Sequence, residues 1–310
     1  MENNSRVACY VKLILAIAIW ASIYHVAKIA TKVADVEVVA FVRYLITAIV
    51  FIFLHRFKTG RFIPNLDKNQ WLWVCILGIV GVFLYNFLFF SAEALISGNI
   101  VAIMYAFAPC LTTIISSYVF KTSLSWLSKL GILIALLGSL GVINYATPEC
   151  GKLFCPNIIT HVGRGEIFGI LATIMFACYA VISKYTAQKN VAAITMNTYA
   201  AVVGCICLGL ITIINSDLSV IPHLGFEFWA SEIYMSIIAT VLAYIWYLDA
   251  IFKLGVFKTV IFQNTIPLQA VIIGYIFFGA TIGAGALICG IVVLCGVYIT
   301  NYALSLNGKV

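Results

Sequence analysis

The sequence predicts an all-α membrane protein in which ten transmembrane helices form two inverted five-helix repeats. Three observations lead to this prediction: the composition, the recurrence of long apolar runs, and the similarity between the two halves of the chain. Of the 310 residues, 64% are hydrophobic and 9% are charged, whereas an ordinary soluble domain is roughly a quarter charged. A soluble fold of a chain with so few charges would expose a largely apolar surface to water, so we expect the chain to lie in a lipid bilayer.

Apolar runs of roughly 18–22 residues recur along the chain, and this is the length that a helix needs to cross a bilayer. Short segments separate the runs, so no soluble domain fits between them. The first run follows "MENNSRVACYVK" but lacks an A-x-A-like cleavage site and has nine successors. We therefore interpret it as a retained first helix rather than a signal peptide. The ten predicted helices cover residues 11–30, 38–56, 70–90, 99–120, 126–146, 165–185, 192–214, 229–249, 257–278 and 281–302.

The distribution of Lys and Arg predicts that both termini are cytoplasmic. With the N-terminus inside, thirteen of the 18 Lys and Arg residues fall on the cytoplasmic side, four fall outside, and Arg43 lies within a span. Positive residues in short loops stay on the cytoplasmic side of a membrane. The net charge of +7 is then a signal of topology, and we expect no nucleic-acid partner.

The second half of the chain repeats the first. "AFAPCLTTIISSYVF" resembles "NTIPLQAVIIGYIFF", which aligns Pro109 with Pro267 at a shift of 158 residues. "WASIYHVAK" resembles "FACYAVISK", which aligns Lys28 with Lys184 at a shift of 156 residues. Because each half holds an odd number of helices, the second half enters the membrane from the opposite side. Inverted repeats of this kind are common in secondary transporters, which bind substrate between them near the midplane.

We predict a first repeat over residues 1–147, an extracytoplasmic loop over 148–164 and a second repeat over 165–310. Pro109 and Pro267 should bend helices 4 and 9, because proline removes a backbone hydrogen bond and clashes with the preceding turn. Two interpretations stay open for these prolines. One is a static kink whose freed carbonyl is bonded by neighbours, and the other is a hinge for gating.

Several other features are interpreted as structural. Asp249 and Lys253, four residues apart at the end of helix 8, have a spacing that favours a helical ion pair. Glycine permits close packing of membrane helices. It clusters in helices 5 and 10, at Gly131, Gly138, Gly141, Gly283, Gly285, Gly290 and Gly296.

The chain has ten cysteines, and most of them lie in spans, where they act as small hydrophobic residues. Cys150 and Cys155 are both predicted to lie outside, where an oxidising compartment permits a disulfide. Two free thiols are the alternative. Zinc binding is the weaker interpretation, because only His161 lies near them, and we expect neither a metal nor a cofactor.

Five segments, taken in order, are similar to a known family. They are Trp20 with Lys28, the "FVR" that contains Arg43, "LYNFLFFSAEALISGNIVAIMYAFAP" ending at Pro109, "GEIFGILATIMFACYAVISKY" in helix 6, and "ATVLAYIWYLDAIFKLGVFKTVIFQNTIP" ending at Pro267. With these segments, nearly the whole chain resembles the EamA-type members of the drug/metabolite transporter superfamily, which are built from two EamA repeats. The chain departs from the family pattern after helices 4 and 9, where "FKTSLS" and "FGATIG" replace a frequent Gly-Glu pair.

The resemblance implies carrier-mediated movement of small metabolites, commonly amino acids and related compounds and often outward, across the cell membrane, here the bacterial inner membrane. We therefore predict a multi-pass secondary transporter that moves a small amphipathic metabolite by alternating access. An uptake carrier or exchanger for a nucleoside-type metabolite such as S-adenosylmethionine is the alternative. The expected partners are a small-molecule substrate, the lipid bilayer, and protons or a counter-substrate, with a monomer or a homodimer as the assembly.

Arg43 is the charged residue that most needs an explanation, since an arginine deep in a membrane helix is usually functional, paired or snorkelling. His25 lies nine residues before the predicted turn at Ala34 and Arg43 nine residues after it, so both should lie at similar depth. Arg43 would then snorkel to the headgroups, bind a substrate carboxylate, or pair with Glu93. His25 would either couple transport to protons or act as a hydrogen-bonded packing residue.

Aromatic and amide side chains are the candidates for a cavity wall. Most aromatic residues of a membrane protein serve packing or the interfacial belt, but as a set they suit an amphipathic solute. The candidates are Trp20, Tyr24, Tyr85, Tyr105, Phe176, Tyr179, Tyr199, Tyr244 and Trp246, with the amides Asn86, Gln263 and Asn264.

Other functional classes find little support. A membrane-embedded enzyme would need paired carboxylates or a metal cluster within its spans, and the acidic residues are scattered singly. A channel would need a charged ring or a filter-like sequence. No Gly-rich ATP-binding loop with lysine occurs, so gradients or exchange should supply the energy.

Overall fold

The computed structural model describes residues 2–146, 162–255, 259 and 262–306. Within these residues, nine helices are long and apolar enough to cross a membrane, and a tenth is apolar but shorter. The predicted all-helical membrane fold is therefore confirmed. The ten helices are α1 Glu2–Val33, α2 Val36–Thr59, α3 Lys68–Leu95, α4 Gly98–Val119, α5 Trp126–Ala146, α6 Arg164–Gln188, α7 Ala193–Asn215, α8 Phe226–Leu254, α9 Ile266–Phe278 and α10 Ala284–Leu306.

Helix packing follows the repeat. α5 packs on α10 and α2 packs on α7, and in each of these pairs the repeat relates one helix to the other. α3 packs on α6 just as α1 packs on α8, and α4 packs on α6 just as α1 packs on α9. Each of these contacts becomes another observed contact when the two halves are exchanged. The five-helix halves are thus related by a pseudo-twofold axis, as expected for inverted repeats.

Both halves interrupt the same helices. α3 contains a π-helical segment at Gly78–Leu84, and α8 contains one at Tyr234–Leu242. α4 breaks into a turn at residues 106–107, and a turn at residues 264–265 comes just before α9. Each turn lies just before a proline, because the proline ring cannot donate the hydrogen bond that would continue the preceding helix. The expected bends of helices 4 and 9 are therefore present.

α5 and α10 approach each other through glycine. A Cβ atom on Gly131 would lie 2.7 Å from the carbonyl oxygen of Gly296, and one on Gly138 would lie 2.7 Å from the backbone nitrogen of Val293. Such distances leave no room for a side chain, so the two backbones are in direct contact here. The prediction that glycines permit close packing of helices 5 and 10 is confirmed at these positions.

Charged residues near helix ends form hydrogen bonds and an ion pair. Lys28 on α1 donates hydrogen bonds to the carbonyl oxygens of Glu93, Ala94 and Ile96, at 2.5, 3.0 and 3.1 Å. These carbonyls end α3 and have no partner within the helix. The predicted pair of Asp249 and Lys253 is present, with an N–O distance of 2.9 Å.

The predicted extracytoplasmic loop at 148–164, with Cys150, Cys155 and His161, lies outside the described residues except for residues 162–164. The disulfide and the repeat boundaries at 147 and 165 remain predictions.

Candidate functional site around Arg43

Arg43 points into the protein, where it is 7% exposed. α2 brings it to a point between α3 and α8. Its Nη1 donates to Oδ1 of Asn86 on α3, and its Nη2 donates to Oγ1 of Thr240 on α8, each at 3.4 Å. The side chain therefore joins both halves of the protein.

The hydrogen bonds of the Arg43 guanidinium are poor for a buried charge. Nitrogen-to-oxygen distances of hydrogen bonds in proteins are usually about 2.7–3.2 Å, so both bonds of 3.4 Å are long. The Nε atom has no hydrogen-bond partner within the part of the chain that the structure describes. The rings of Tyr44 and Phe90 lie 5.7 and 5.6 Å from the guanidinium carbon, close to the limit of a cation–π contact. Most of the donor capacity of Arg43 is thus unused.

The π-helical segments position the groups around Arg43. Asn86 lies just after the segment in α3, whereas Ser236 and Thr240 lie within the segment in α8. The Ser236 hydroxyl donates to the backbone carbonyl of Arg43 at 3.0 Å, and the Thr240 hydroxyl donates to the carbonyl of Met235, five residues back, at 2.7 Å. Such π segments are rare and often occur at functional sites.

A buried carboxylate lies on the same side of α8. Glu232, one turn before Ser236, has no exposed surface. Neither of its carboxylate oxygens accepts a hydrogen bond from a described residue. Arg43 is the charged side chain that acts on it electrostatically. The sequence alone does not connect Glu232 with Arg43. In the structure Glu232 lies six residues after the start of α8 and Arg43 seven residues after the start of α2, so the two are at similar depth.

A cavity of about 100 Å³ lies beside Arg43. Its polar side chains are linked, since the Tyr179 hydroxyl donates to Asn197 at 3.2 Å and the Asn197 amide donates to the Tyr244 hydroxyl at 3.0 Å. Thr240 belongs both to the cavity wall and to the hydrogen bonds of Arg43. The wall consists of Tyr44, Phe51, Val82, Tyr179, Asn197, Ala200, Ala201, Thr240 and Tyr244.

Four predicted aromatic residues form a cluster next to this cavity, between α1, α3, α4 and α6. The rings of Tyr85 and Tyr105 are 5.8 Å apart, and Phe176 lies 5.5 Å from Tyr85 and 5.6 Å from Tyr105. Tyr24 lies 6.0 Å from Tyr105. Phe176 in turn lies 6.2 Å from the ring of Tyr179, which lines the cavity. The cluster therefore extends the aromatic wall.

Trp20 and Gln263 belong to a neighbouring group. The indole of Trp20 donates to the carbonyl of Ala239 at 2.9 Å and lies 4.9 Å from the ring of Tyr247. The Tyr247 hydroxyl donates to Oε1 of Gln263 at 2.6 Å. This group thus joins α1 and α8 to the segment just before α9. Half-buried Trp246 lies on α8, and half-buried Asn264 lies in the turn before α9.

Two predicted site residues lie away from Arg43. His25 is bonded through Nε2 to the carbonyl of Ala270 at 2.8 Å and stacks on Phe278 at 5.0 Å. It faces α9, because α1 packs mainly on α8 and α9 whereas α2 packs on α7. Tyr199 packs edge-on against His55 at 5.3 Å, and His55 is also bonded to the carbonyl of Arg61 beyond the end of α2.

The pairing of Arg43 with Glu93 that the sequence left open is not formed. Glu93 is fully buried, and the cation that acts on it is Lys28. Across the described ranges, no group of three or more His, Cys, Asp or Glu side chains could hold a metal ion.

Known proteins are similar to this chain in sequence and in fold. The profile of a family described as "EamA-like transporter family" matches residues 7–144 and 163–302. The chain is 26% identical over 260 residues to "Uncharacterized transporter YyaM" of Bacillus subtilis, which covers 82% of this chain and 83% of the relative. It is 22% identical over 295 residues to an "Uncharacterized transporter" of Archaeoglobus fulgidus, which covers 94% of this chain and 97% of the relative. A crystal structure of a protein 19% identical has a TM-score of 0.64 and covers 94% of this chain and 95% of the other, which shows the same fold.

Proposed function

The chain belongs to the EamA-like transporter family and is a membrane transporter rather than an enzyme, and we propose that it moves an amino acid or an amino-acid-derived compound by alternating access. In this proposal, Arg43 binds the carboxylate of the substrate. The cavity beside it takes the apolar part.

The unused donors of Arg43 are the observation that carries the proposal. A buried guanidinium whose hydrogen bonds are 3.4 Å long and whose Nε has no described partner has the capacity to bind a carboxylate through two parallel hydrogen bonds. Such bonds are shorter and roughly twice as strong as bonds between neutral groups. A carboxylate would therefore satisfy Arg43 better than Asn86 and Thr240 do.

The cavity supports an amphipathic substrate with a compact side chain. Its wall combines aromatic rings with the linked polar groups of Tyr179, Asn197 and Tyr244. Its volume of about 100 Å³ is below the roughly 300 Å³ at which small-molecule pockets usually begin. Binding of a substrate must therefore widen the cavity by moving the helices apart. The π segments interrupt α3 and α8, and the turns before Pro109 and Pro267 interrupt α4 and precede α9.

A thermal-shift screen tests the substrate class. The purified protein is heated with each member of a panel of amino acids, nucleosides and S-adenosylmethionine, because a ligand that binds the folded state raises the melting temperature. We expect stabilisation by at least one amino acid. A nucleoside that stabilises the protein while amino acids do not would refute the proposal.

Variants of Arg43 test its role. Arg43→Gln should weaken binding of the stabilising amino acid about 30-fold or more, as expected for the loss of a buried charge pair. Arg56→Gln is the matched control, because it changes an exposed arginine on the same helix. Equal affinities in Arg43→Gln and the unaltered protein would refute a contact between Arg43 and the substrate.

We also propose that both termini are cytoplasmic, from the distribution of positive residues. Lys32 near the end of α1 and Lys58 near the end of α2 are exposed and should lie on opposite sides of the membrane. Single cysteines at these positions, in a background that lacks the native cysteines, are labelled in whole cells with an impermeant thiol reagent. We expect labelling at position 32 alone. Labelling at position 58 alone would show the opposite orientation, with both termini outside.

A further inference from the structure

We propose that Glu232 binds the ammonium group of the substrate, so that Arg43 and Glu232 together select a zwitterion with an amino group next to its carboxylate. This inference rests on the proposed function, because it assumes that Arg43 binds the carboxylate. It adds a second recognition residue and narrows the substrate class to free amino acids.

The geometry places Glu232 on the side of α8 that contacts Arg43. Ser236, four residues after Glu232, bonds the backbone carbonyl of Arg43, and Thr240, four residues further, bonds its guanidinium. Residues four apart lie on the same face of an α-helix, and within the π segment the contacts of Ser236 and Thr240 show directly that both face Arg43. Glu232 therefore continues the row of α8 side chains that meet Arg43.

The surroundings of Glu232 leave Arg43 as its charged neighbour. α1 and α2 are the helices that pack on the first turns of α8. Among their titratable groups, Tyr24 packs against Phe89 and Tyr105, His25 faces α9, and Lys28 holds the end of α3. The titratable side chains of α1 and α2 at this level are Tyr24, His25, Lys28, Arg43 and Tyr44.

Glu232 and Arg43 act on each other but do not satisfy each other. Neither carboxylate oxygen of Glu232 accepts a hydrogen bond from the described residues, and Arg43 keeps an unpartnered Nε. A buried carboxylate without hydrogen bonds is costly, and so is a poorly bonded guanidinium. A ligand that carries both charges a few bonds apart would satisfy both, with its carboxylate on Arg43 and its ammonium on Glu232.

Charge balance favours a zwitterion over a simple carboxylate. With both Arg43 and Glu232 ionised in the bound state, a zwitterion leaves the site neutral. A monocarboxylate would leave one uncompensated negative charge, and a monoamine would leave one positive charge, in a buried site where unpaired charges are costly. Both should therefore bind more weakly than the amino acid.

Three matched probes separate these contributions: leucine, its deaminated analogue 4-methylpentanoate and its decarboxylated analogue 3-methylbutylamine. Their dissociation constants are measured by calorimetry on the purified full-length protein. If phenylalanine stabilises the protein more than leucine does, phenylalanine, 3-phenylpropanoate and 2-phenylethylamine are used instead. We expect the amino acid to bind on the order of 10–100-fold more tightly than either analogue, the range expected for one charged hydrogen-bonded contact.

Glu232→Gln should remove this preference for the amino group, so that the amino acid and the deaminated acid bind with similar affinity. Glu232→Asp keeps the charge and should retain part of the preference. That result would show that the loss in Glu232→Gln is not a folding defect. Glu227→Gln is the matched control, because Glu227 is an exposed acid in the first turn of the same helix. It should leave the preference unchanged.

Failure of the inference and failure of the proposed function give different results. If the acid and the amino acid bind equally well to the unaltered protein and both depend on Arg43, the proposed function stands and the role of Glu232 is wrong. The role is also wrong if the acid and the amino acid show the same pH dependence of binding and Glu232→Gln abolishes it. Glu232 would then bind a proton rather than the ammonium group. If no carboxylate ligand binds, or binding is unaffected in Arg43→Gln, the proposed function itself fails.

Discussion

Lys28 is expected to contribute more to stability than its counterpart Lys184 in the second repeat. Lys28 donates three hydrogen bonds to the carbonyl groups that end α3. Hydrogen bonds between membrane helices contribute about 0.6 kcal/mol on average and up to about 1.7 kcal/mol each, so three of them give roughly 2–5 kcal/mol. Lys184 is exposed and lies 5.2 Å from the ring of Phe120, a cation–π contact of about 0.5–1 kcal/mol.

The assay is the free energy of unfolding in mixed detergent micelles, measured for Lys28→Met and Lys184→Met. Lys32→Met, at an exposed lysine one turn after Lys28, is the control for the loss of a charge. We expect a loss of roughly 2–5 kcal/mol for Lys28→Met from the three hydrogen bonds and of at most about 1 kcal/mol for Lys184→Met. Equal losses in the two variants, or no difference between Lys28→Met and Lys32→Met, would refute this reasoning.

A second substitution separates the hydrogen bonds from the charge. Lys28 is the cation that acts on buried Glu93, so Lys28→Met leaves that carboxylate without compensation. Removing one partner of a buried charge pair is more destabilising than removing both. Adding Glu93→Gln to Lys28→Met should therefore restore part of the lost stability, whereas a further loss would show that Glu93 has another stabilising contact.

Three further predictions concern packing, gating and the surface. Gly296→Ala should lower the free energy of unfolding by about 1–3 kcal/mol, because its Cβ would lie 2.6 Å from a carbonyl oxygen on α5. Gly283→Ala, with open space around it, should leave the stability unchanged. Thermal unfolding compares the two variants. Pro109→Ala and Pro267→Ala should slow transport in liposomes several-fold with little change in affinity, since they restore the backbone donor that each turn lacks; unchanged rates would indicate static kinks. Asp249→Asn should lower stability by about 0.5 kcal/mol or less, because its ion pair is exposed.

The membrane spans could be predicted from the sequence because hydrophobic length determines them. The predicted ends of the helices are less accurate where a charged side chain is buried. The apolar run predicts that helix 3 ends at residue 90, yet the helix continues to Leu95 because Glu93 is buried and Lys28 bonds the last carbonyls. A sequence pattern treats such a glutamate as the beginning of a loop, since the cation that compensates it lies on another helix.

The candidate site could be predicted only in part. The depth of Arg43 and the presence of aromatic side chains nearby follow from periodicity and length. The hairpin between α1 and α2 predicts that His25 is level with Arg43 but does not predict its direction, because α1 packs on helices of the second repeat. Glu232 belongs to the other repeat as well, so no spacing along the chain connects it with Arg43.

The paired π segments have a consequence for how related chains must be aligned. A π turn holds about one more residue than an α turn, since its hydrogen bonds join residues five apart rather than four. Deleting one residue between Gly78 and Leu84 would restore a regular α-helix, and because the π segment fits one extra residue into nearly the same rotation, Asn86 would keep its direction toward Arg43. A relative with a one-residue gap at this point has therefore lost the π segment but has kept the residues after it in register with the arginine.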